Sequence, residues 1–274
     1  MKSALTIAAG IGLAVWTGNV PLLAQLQDNS EKQMTCENGG HDGEHARHCE
    51  MREQTVASTG QLSVDAGPNG GTTVKGWLRS DVLVRARVEA SGDTETAAAL
   101  MASQVSVASS GGEVRATGPE PAHNAGWSVS YEIFVPQTTD LNLKTRNGGM
   151  TISDVRGQIH FDVNNGGVRL KRVAGDVSGA TVNGGIQVEL TGSMWEGRQL
   201  EVSTRNGGVT VVMPSYYSAH IQAETGSGNI ESDFPVTLNG DLRPRRLDFS
   251  VGSGGSLIHV TTTNGGVKLK RAES

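Results

Sequence analysis

The feature that most constrains this chain is a short turn that keeps returning. Asn147-Gly148-Gly149, Asn165-Gly166-Gly167, Asn183-Gly184-Gly185, Asn206-Gly207-Gly208 and Asn264-Gly265-Gly266 each precede an apolar residue: Met150, Val168, Ile186, Val209 and Val267. The first three copies stand 18 residues apart, the next follows after 23, and a degenerate copy, Ser227-Gly228-Asn229, stands 21 further on. From there to Asn264 is 37 residues, the length of two rungs, with Gly252 to Gly255 near the missing turn. The extra length before Asn206 fits a loop, Ser193 to Gly197, bulged out of one coil. Self-similarity at a fixed period is the mark of a repeat architecture.

Within each copy the period is two. Ile159, Phe161 and Val163 alternate with His160 and Asp162, and Val168 and Leu170 interleave with Arg169 and Lys171. One face goes inward and the other meets water. Two arrangements satisfy such a pattern. Asn-Gly between alternating strands is a hairpin signal, so an antiparallel meander is one. The other is a β-solenoid whose coils stack ~4.8 Å apart. An identical turn at a constant offset favours the solenoid, because stacked coils set Asn above Asn, where side-chain amides bond along a ladder. Phe161 also aligns with Gly179 at that offset, a large ring beside an empty position. The expected fold class is therefore all-β: a right-handed single-stranded β-solenoid, β-helix-like, over residues 141–274. The first glycine of each turn is expected at positive φ, and Asn264, near the C-terminus, is expected to have a neighbour on one side only.

Residues 55–140 read as an N-terminal β segment with one short helix. Leu62, Val64 and Ala66 alternate with polar residues, Gly67-Pro-Asn-Gly-Gly71 makes a turn, and Thr73 to Trp77 and Asp81 to Ala90 continue the pattern. The helix is placed at 93–104, with Asp93 as its cap and an Ala/Leu/Met-rich body. Val105 to Val107, Glu113 to Ala116 and Trp127 to Val135 follow as strands, the last ended by Pro136.

Residues 1–24 read as a signal peptide. Lys2 precedes an uncharged apolar stretch from Ala4 to Trp16, and cleavage fits after Ala24. No later run is long and apolar enough to span a bilayer, so no transmembrane segment is expected after cleavage. The chain is expected to be exported, to the periplasm or the cell surface. Residues 25–54 then form a polar segment closed by Cys36 and Cys49, an even pair that reads as a disulfide in an oxidising compartment. His41, His45 and His48 crowd the same loop. They offer a weak metal site, but the spacing matches no zinc template, so no metal and no cofactor is expected.

At this point the residues resemble a known family. The Cys49-Glu-Met-Arg-Glu53 run, Gly67-Pro-Asn-Gly-Gly71, Val82-Leu-Val-Arg85, the strand ending Ile133-Phe-Val-Pro136 and the Asn-Gly-Gly-Val units carry the likeness. Together they are similar to bacterial exported β-strand-repeat domains of unknown function, the putative adhesin family. The resemblance covers roughly residues 50–274 and implies a solenoid and an adhesive role. It brings no catalytic residues.

Glycine supplies 37 of 274 residues, and the apolar count reaches an ordinary globular share only with glycine included. Glycine has no three-residue period, which excludes collagen. Net charge is -5, which leaves no footprint for nucleic-acid binding. No G-x-S-x-G, H-E-x-x-H, P-loop or C-x-x-C is present. His160, His220 and His259 stand singly on strands, and one of them paired with Asp162 or Asp154 would make an acid–base couple. Arg146 and Arg205, just before two turns, would make a basic edge for acidic polymers. Trp127 reads as core, and Trp195, in the insertion, as an exposed ring for stacking sugars. The reading is a non-catalytic cell-envelope protein, a binding scaffold for an envelope protein or polysaccharide. The alternative is a carbohydrate-active enzyme, a polysaccharide lyase or hydrolase on a β-helix.

Overall fold

The computed structural model describes residues 34–36, 45–122, 124–236 and 245–273. The signal-peptide segment and His41 lie outside the described residues, and all elements belong to the unit Thr35–Ser274. In chain order they are β1 (Ala46–Ala57), β2 (Gln61–Asp65), β3 (Thr72–Trp77), β4 (Asp81–Gly92), α1 (Glu95–Gln104), β5 (Ser106–Ser110), β6 (Glu113–Thr117) and β7 (Gly126–Pro136). Then come β8 (Asp140–Asn147), β9 (Met150–Ser153), β10 (Arg156–Asn165), β11 (Val168–Lys171), β12 (Ala174–Asn183) and β13 (Ile186–Glu189). The chain ends with β14 (Gln199–Asn206), β15 (Val209–Met213), β16 (Ala219–Ser227), β17 (Ile230–Ser232), β18 (Arg246–Val251), β19 (Leu257–Asn264) and β20 (Val267–Arg271).

The repeat decides the architecture through its register. β8, β10, β12, β14 and β19 pair in parallel with Asn147, Asn165, Asn183, Asn206 and Asn264 directly opposite one another. On the far side of each turn, β9, β11, β13, β15 and β20 are also parallel, with Met150, Val168, Ile186, Val209 and Val267 in one row. A meander needs antiparallel neighbours, so these residues form stacked coils. Each coil contributes one strand to each of two ten-stranded sheets. Alternation does the rest: in β10 Ile159, Phe161 and Val163 are buried between the sheets, while His160 and Asp162 are exposed.

The stack does not begin at residue 141. β2 lies parallel to β8 and β3 parallel to β9, so Gly67-Pro-Asn-Gly-Gly71 is one more turn of the same kind. β6 and β7 add a further coil, parallel to β2 and β3. The antiparallel strands β4 and β1 finish that end of one sheet, and β5 finishes the other. Strand structure thus starts at Ala46, not Thr55, because β1 pairs with β4 along all 12 residues despite its charges. The helix is capped by Thr94, whose side chain accepts from the N–H of Ala97, rather than by Asp93. Arg52 of β1 donates to the carbonyls of Ala102 and Val105 at the other helix end.

At the C-terminal end the order of the coils departs from the order of the chain. The coil β16–β17 follows β14–β15 in sequence but stacks one place beyond it. The last coil, β19–β20, fills the gap between them. Among the described residues the 37-residue spacing holds no missing Asn-Gly-Gly rung: β18 returns antiparallel along β16, and Gly252 to Gly255 turn the chain into β19. Asn264 is therefore an interior rung, flanked by Asn206 and Ser227.

The glycines are required by approach, not by torsion. Gly148, Gly166 and Gly184 are absent from the positive-φ residues, and Gly207 and Gly265, at 159° and 156°, are close to extended. What excludes a side chain is the next coil: a Cβ on Gly166 would sit 2.0 Å from the carbonyl oxygen of Gly148. At the opposite corner the left-handed residues are Asp154 (φ 60°) and Arg172 (φ 50°), each followed by a buried valine, Val155 and Val173.

Two of the three tyrosines face the interior: Tyr131 and Tyr217 are buried, whereas Tyr216 is 69% exposed. Burial raises both buried phenols above the ordinary value, with nearby Asp65 adding to the effect on Tyr131. The unfolded chain releases those protons first as pH rises past ~10. Stability is then expected to fall with pH from that point upward, because the unfolded state binds fewer protons. Ultraviolet titration should show two of the three phenolates forming only together with alkaline unfolding. Reversible ionisation of all three in the folded protein would contradict the burial.

Candidate functional site

Parallel stacking turns each outward position of a strand into a row across the coils. On the outer face of the sheet containing β8 and β10, one row runs Gln61, Asp140, Gln158, Asp176, Gln199. The next runs Ser63, Asn142, His160, Ser178, Glu201, His259, Gln222. Successive members lie one strand spacing apart, ~4.8 Å. Between these rows and the Gly111-Gly112 turn lies an open groove of about 680 Å³.

The groove is set by hydrogen bonds along its floor and rim. Asp140 Oδ1 accepts the backbone N–H of Gln158 at 2.7 Å, and two coils on Asp176 Oδ1 accepts the backbone N–H of Arg198 at 3.1 Å. The Arg198 guanidinium also donates to Asp176 at 2.6 Å, which holds that carboxyl below the usual carboxylate range and raises the guanidinium in turn. His160 Nδ1 lies 3.1 Å from Ser178 Oγ. Most of the polar side chains lining the groove carry amide, hydroxyl or imidazole groups, beside the charged Glu113, Asp140, Asp176 and Arg198.

The histidines do not converge. His160 meets Ser178, His220 Nε2 lies 3.1 Å from Asp248, and His259 Nδ1 lies 3.7 Å from Glu201. Asp162 faces outward one row away, and Asp154 is at the opposite corner, bound by both guanidinium contacts of Arg172 at 2.7 and 2.8 Å. Arg146 and Arg205 are exposed beside the turns but stand three coils apart, with Asn164 and Val182 between them in the stack. Gly226-Ser-Gly-Asn229 is the turn of the outermost coil. Cys36 and Cys49 are bonded to each other with Cα atoms 5.7 Å apart, so neither sulfur is a metal ligand. His48 lies 3.9 Å from Glu50, and the described residues contain no group of three metal-ligating side chains. Trp127 is half-buried against the core, its indole donating to Pro119.

Trp195 is a correction. It is buried at 4% exposure, with Nε1 donating to the Gly175 carbonyl at 3.0 Å. The insertion folds back over its corner and presents Met194 instead, 54% exposed.

The expected amide ladder is present, and two features beside it went unread in the sequence: a row of threonines beneath the ladder and a charged cluster on the other sheet. The ladder runs along the turn edge: Asn147 Nδ2 donates to Asn69 Oδ1, Asn165 to Asn147, Asn183 to Asn165, Asn206 to Asn183 and Asn264 to Asn206, at 2.7–3.0 Å. Asn69 is its first rung. Beneath it, Thr145, Thr181, Thr204, Thr262 and Thr225 each donate to the first-glycine carbonyl of a neighbouring coil. The signal was present, a threonine two residues before most of the turns. The second feature had no local signal. On the outer face of the other sheet, buried Glu132 binds Lys75 at 3.2 Å and Arg85 at 3.4 Å, and Phe134, Trp77 and Arg79 stack beside them.

The sequence profile of the Toastrack DUF4097 family matches residues 80–270. No curated protein matches the chain. Among solved structures, the chain is similar to a putative cell adhesion protein from Clostridium sporogenes, at 11% identity and TM-score 0.43, over 82% of this chain and 100% of that one. It is also similar to a putative adhesin from Bacteroides fragilis, at 11% identity and TM-score 0.33, over 81% of this chain and 97% of that one. A putative lipid binding protein from Parabacteroides distasonis matches at 9% identity and TM-score 0.35, over 81% and 97% respectively.

Proposed function

We propose a binding role that proceeds from one premise: the chain belongs to the Toastrack DUF4097 family. The protein is an exported, non-catalytic scaffold of the cell envelope that presents its outer sheet face to an extended polymer. Right-handed winding of the coils belongs to this reading, since parallel crossovers take that hand in ~98% of cases. Export rests on the apolar N-terminal stretch and on the Cys36–Cys49 disulfide, a bond of oxidising compartments. No helix among the described residues is long and apolar enough to cross a membrane.

One observation carries the ligand class. The groove offers regularly spaced amide and hydroxyl groups from Gln61, Ser63, Asn142, Gln158 and Ser178. These groups complement the hydroxyls of an uncharged or weakly charged polysaccharide laid across the coils. A convergent acid–base pair, which cleavage would need, is not what supports the site; a repeated recognition surface is.

Affinity electrophoresis through gels containing a neutral soluble polysaccharide tests this. The protein is expected to be retarded, Asn142→Ala with Gln158→Ala is expected to abolish the retardation, and no reducing ends should appear. An unretarded protein overturns the proposal. Reducing ends that vanish with His160→Ala would make the groove the active site of a polysaccharide-cleaving enzyme instead.

A further inference from the structure

We infer that Asn264 is a site of spontaneous deamidation, the one rung of the asparagine ladder that depends on the outermost coil for its protection. Asn-Gly is the dipeptide best suited to this reaction, because glycine places no Cβ in the path of its own nitrogen. The backbone nitrogen of the glycine attacks Cγ of the asparagine and forms the N–C bond. Its proton passes to water or hydroxide, and the side-chain amide leaves as ammonia. Water then opens the cyclic imide at either carbonyl, giving aspartate or its β-linked isomer. One water is consumed and one ammonia released, so no other reactant is needed.

Six Asn-Gly pairs fall among the described residues, at Asn69, Asn147, Asn165, Asn183, Asn206 and Asn264. Two more, at Asn38 and Asn239, lie outside them. In each of the six the attacking nitrogen is engaged, and always toward the same end of the stack. The N–H groups of Gly70, Gly148, Gly166, Gly184 and Gly207 donate to the carbonyls of Asn147, Asn165, Asn183, Asn206 and Asn264 at 2.9–3.0 Å. Gly265 donates to Ser227 at 3.0 Å. The side chains are held as well: the amides of Asn147, Asn165, Asn183, Asn206 and Asn264 each donate to the rung behind, and Asn69 accepts from Asn147. A nitrogen that is donating, beside a Cγ fixed in the ladder, cannot reach attack geometry without local opening.

The six are protected unequally because the hydrogen bonds have a direction. Five of the glycines are covered by a coil that is itself covered. Gly265 is covered by the turn of the β16–β17 coil, and among the described residues no coil lies beyond that turn. β18 pairs only with Ala219 to Glu224 of β16, short of Ser227. Gly228 is exposed, whereas Gly148, Gly166, Gly184, Gly207 and Gly265 are all half-buried. β17 is three residues long and half-buried at best. Elements at the end of a stack open at lower free energy than those within it. Asn69, though near the other end, is protected from the interior side, by Asn147. The outermost turn itself carries Ser227 where the others carry asparagine, a residue with no amide to lose.

The test follows each asparagine by peptide mapping of the full chain, held folded at mildly alkaline pH, with the urea-unfolded chain in the same buffer as reference. Asn264 is expected to convert at least ~10-fold faster than Asn69, Asn147, Asn165, Asn183 and Asn206, and more slowly than in urea. Gly228→Val should accelerate Asn264 and leave Asn165 unchanged, because its Cβ would lie 2.1 Å from the Gly265 carbonyl and lift the outer turn alone. Conversion of Asn69 or Asn165 as fast as Asn264 overturns the inference. So does an Asn264 that stays intact while the unfolded chain converts, or a Gly228→Val protein that converts no faster.

Discussion

Gly166→Val is expected to destabilise the protein by at least ~3 kcal/mol, beyond the ordinary range for a solvent-side position. The side chain would have to occupy the place of the Gly148 carbonyl: its Cβ would lie 2.0 Å from that oxygen, 2.6 Å from the carbonyl carbon and 3.1 Å from the Gly149 nitrogen. None of these atoms belongs to a side chain that can swing away. Moving the Gly148 peptide breaks its N–H bond to Asn165 and the bond from Met150 to Gly167, and both neighbouring coils inherit the shift. Asn165→Ala is a different kind of change. It removes two amide bonds at 2.7 Å, to Asn147 and from Asn183, but on an exposed edge where water can replace them. Its expected cost is only ~1 kcal/mol. Asn264→Ala should cost the same, because Asn264 also has a partner on each side, Asn206 and the Ser227 hydroxyl. Urea midpoints at unchanged slope give the comparison. A Gly166→Val protein within ~1 kcal/mol of the parent would mean that the coils do not approach this closely.

That equivalence of Asn165 and Asn264 shows where the sequence stops being informative. Period-two alternation and a repeated turn suffice to place the strands and to put like residues in register, because both signals are local or act at a constant offset. They contain nothing that orders interchangeable rungs. The Asn206 turn can be covered as well by Asn264-Gly265-Gly266 as by Ser227-Gly228-Asn229, and chain order suggests the wrong one. Asn69 escaped for a related reason: its turn is separated from Asn147 by residues that form β4, α1, β5, β6 and β7 before the stack resumes. Trp195 failed differently. An insertion's length identifies a loop but not the direction in which its ring points, and here the indole had a buried carbonyl to satisfy. The groove was half legible. The outward phase of Asn142, His160 and Ser178 follows from alternation, but that they form one row follows only from parallel stacking. The Glu132 cluster joins residues of β1, β3, β4 and β7, and no pattern within any one of those strands announces it.

The inner rows carry the other large effect. Leu143, Phe161, Gly179 and Val202 lie opposite one another on β8, β10, β12 and β14, so one row of the core reads large, very large, empty, medium. Phe161 is fully buried, and its ring fills the space that Gly179 leaves. Removing the ring with Phe161→Ala is expected to cost ~3–5 kcal/mol, since two parallel sheets joined by short turns cannot collapse on the cavity. Gly179→Ala should also destabilise, by ~1–3 kcal/mol, because the new methyl would lie 2.5 Å from Cγ and Cδ1 of Phe161. The ring would have to leave its packed rotamer to make room. In the double variant that conflict is gone and the methyl refills part of the cavity. Gly179→Ala is then expected to be neutral or stabilising in the Phe161→Ala background, a coupling of ~1–3 kcal/mol between residues on adjacent coils. Denaturant unfolding of the four proteins closes the cycle. If the two losses simply add, the ring does not occupy the space above Gly179, and the row is filled in some other way.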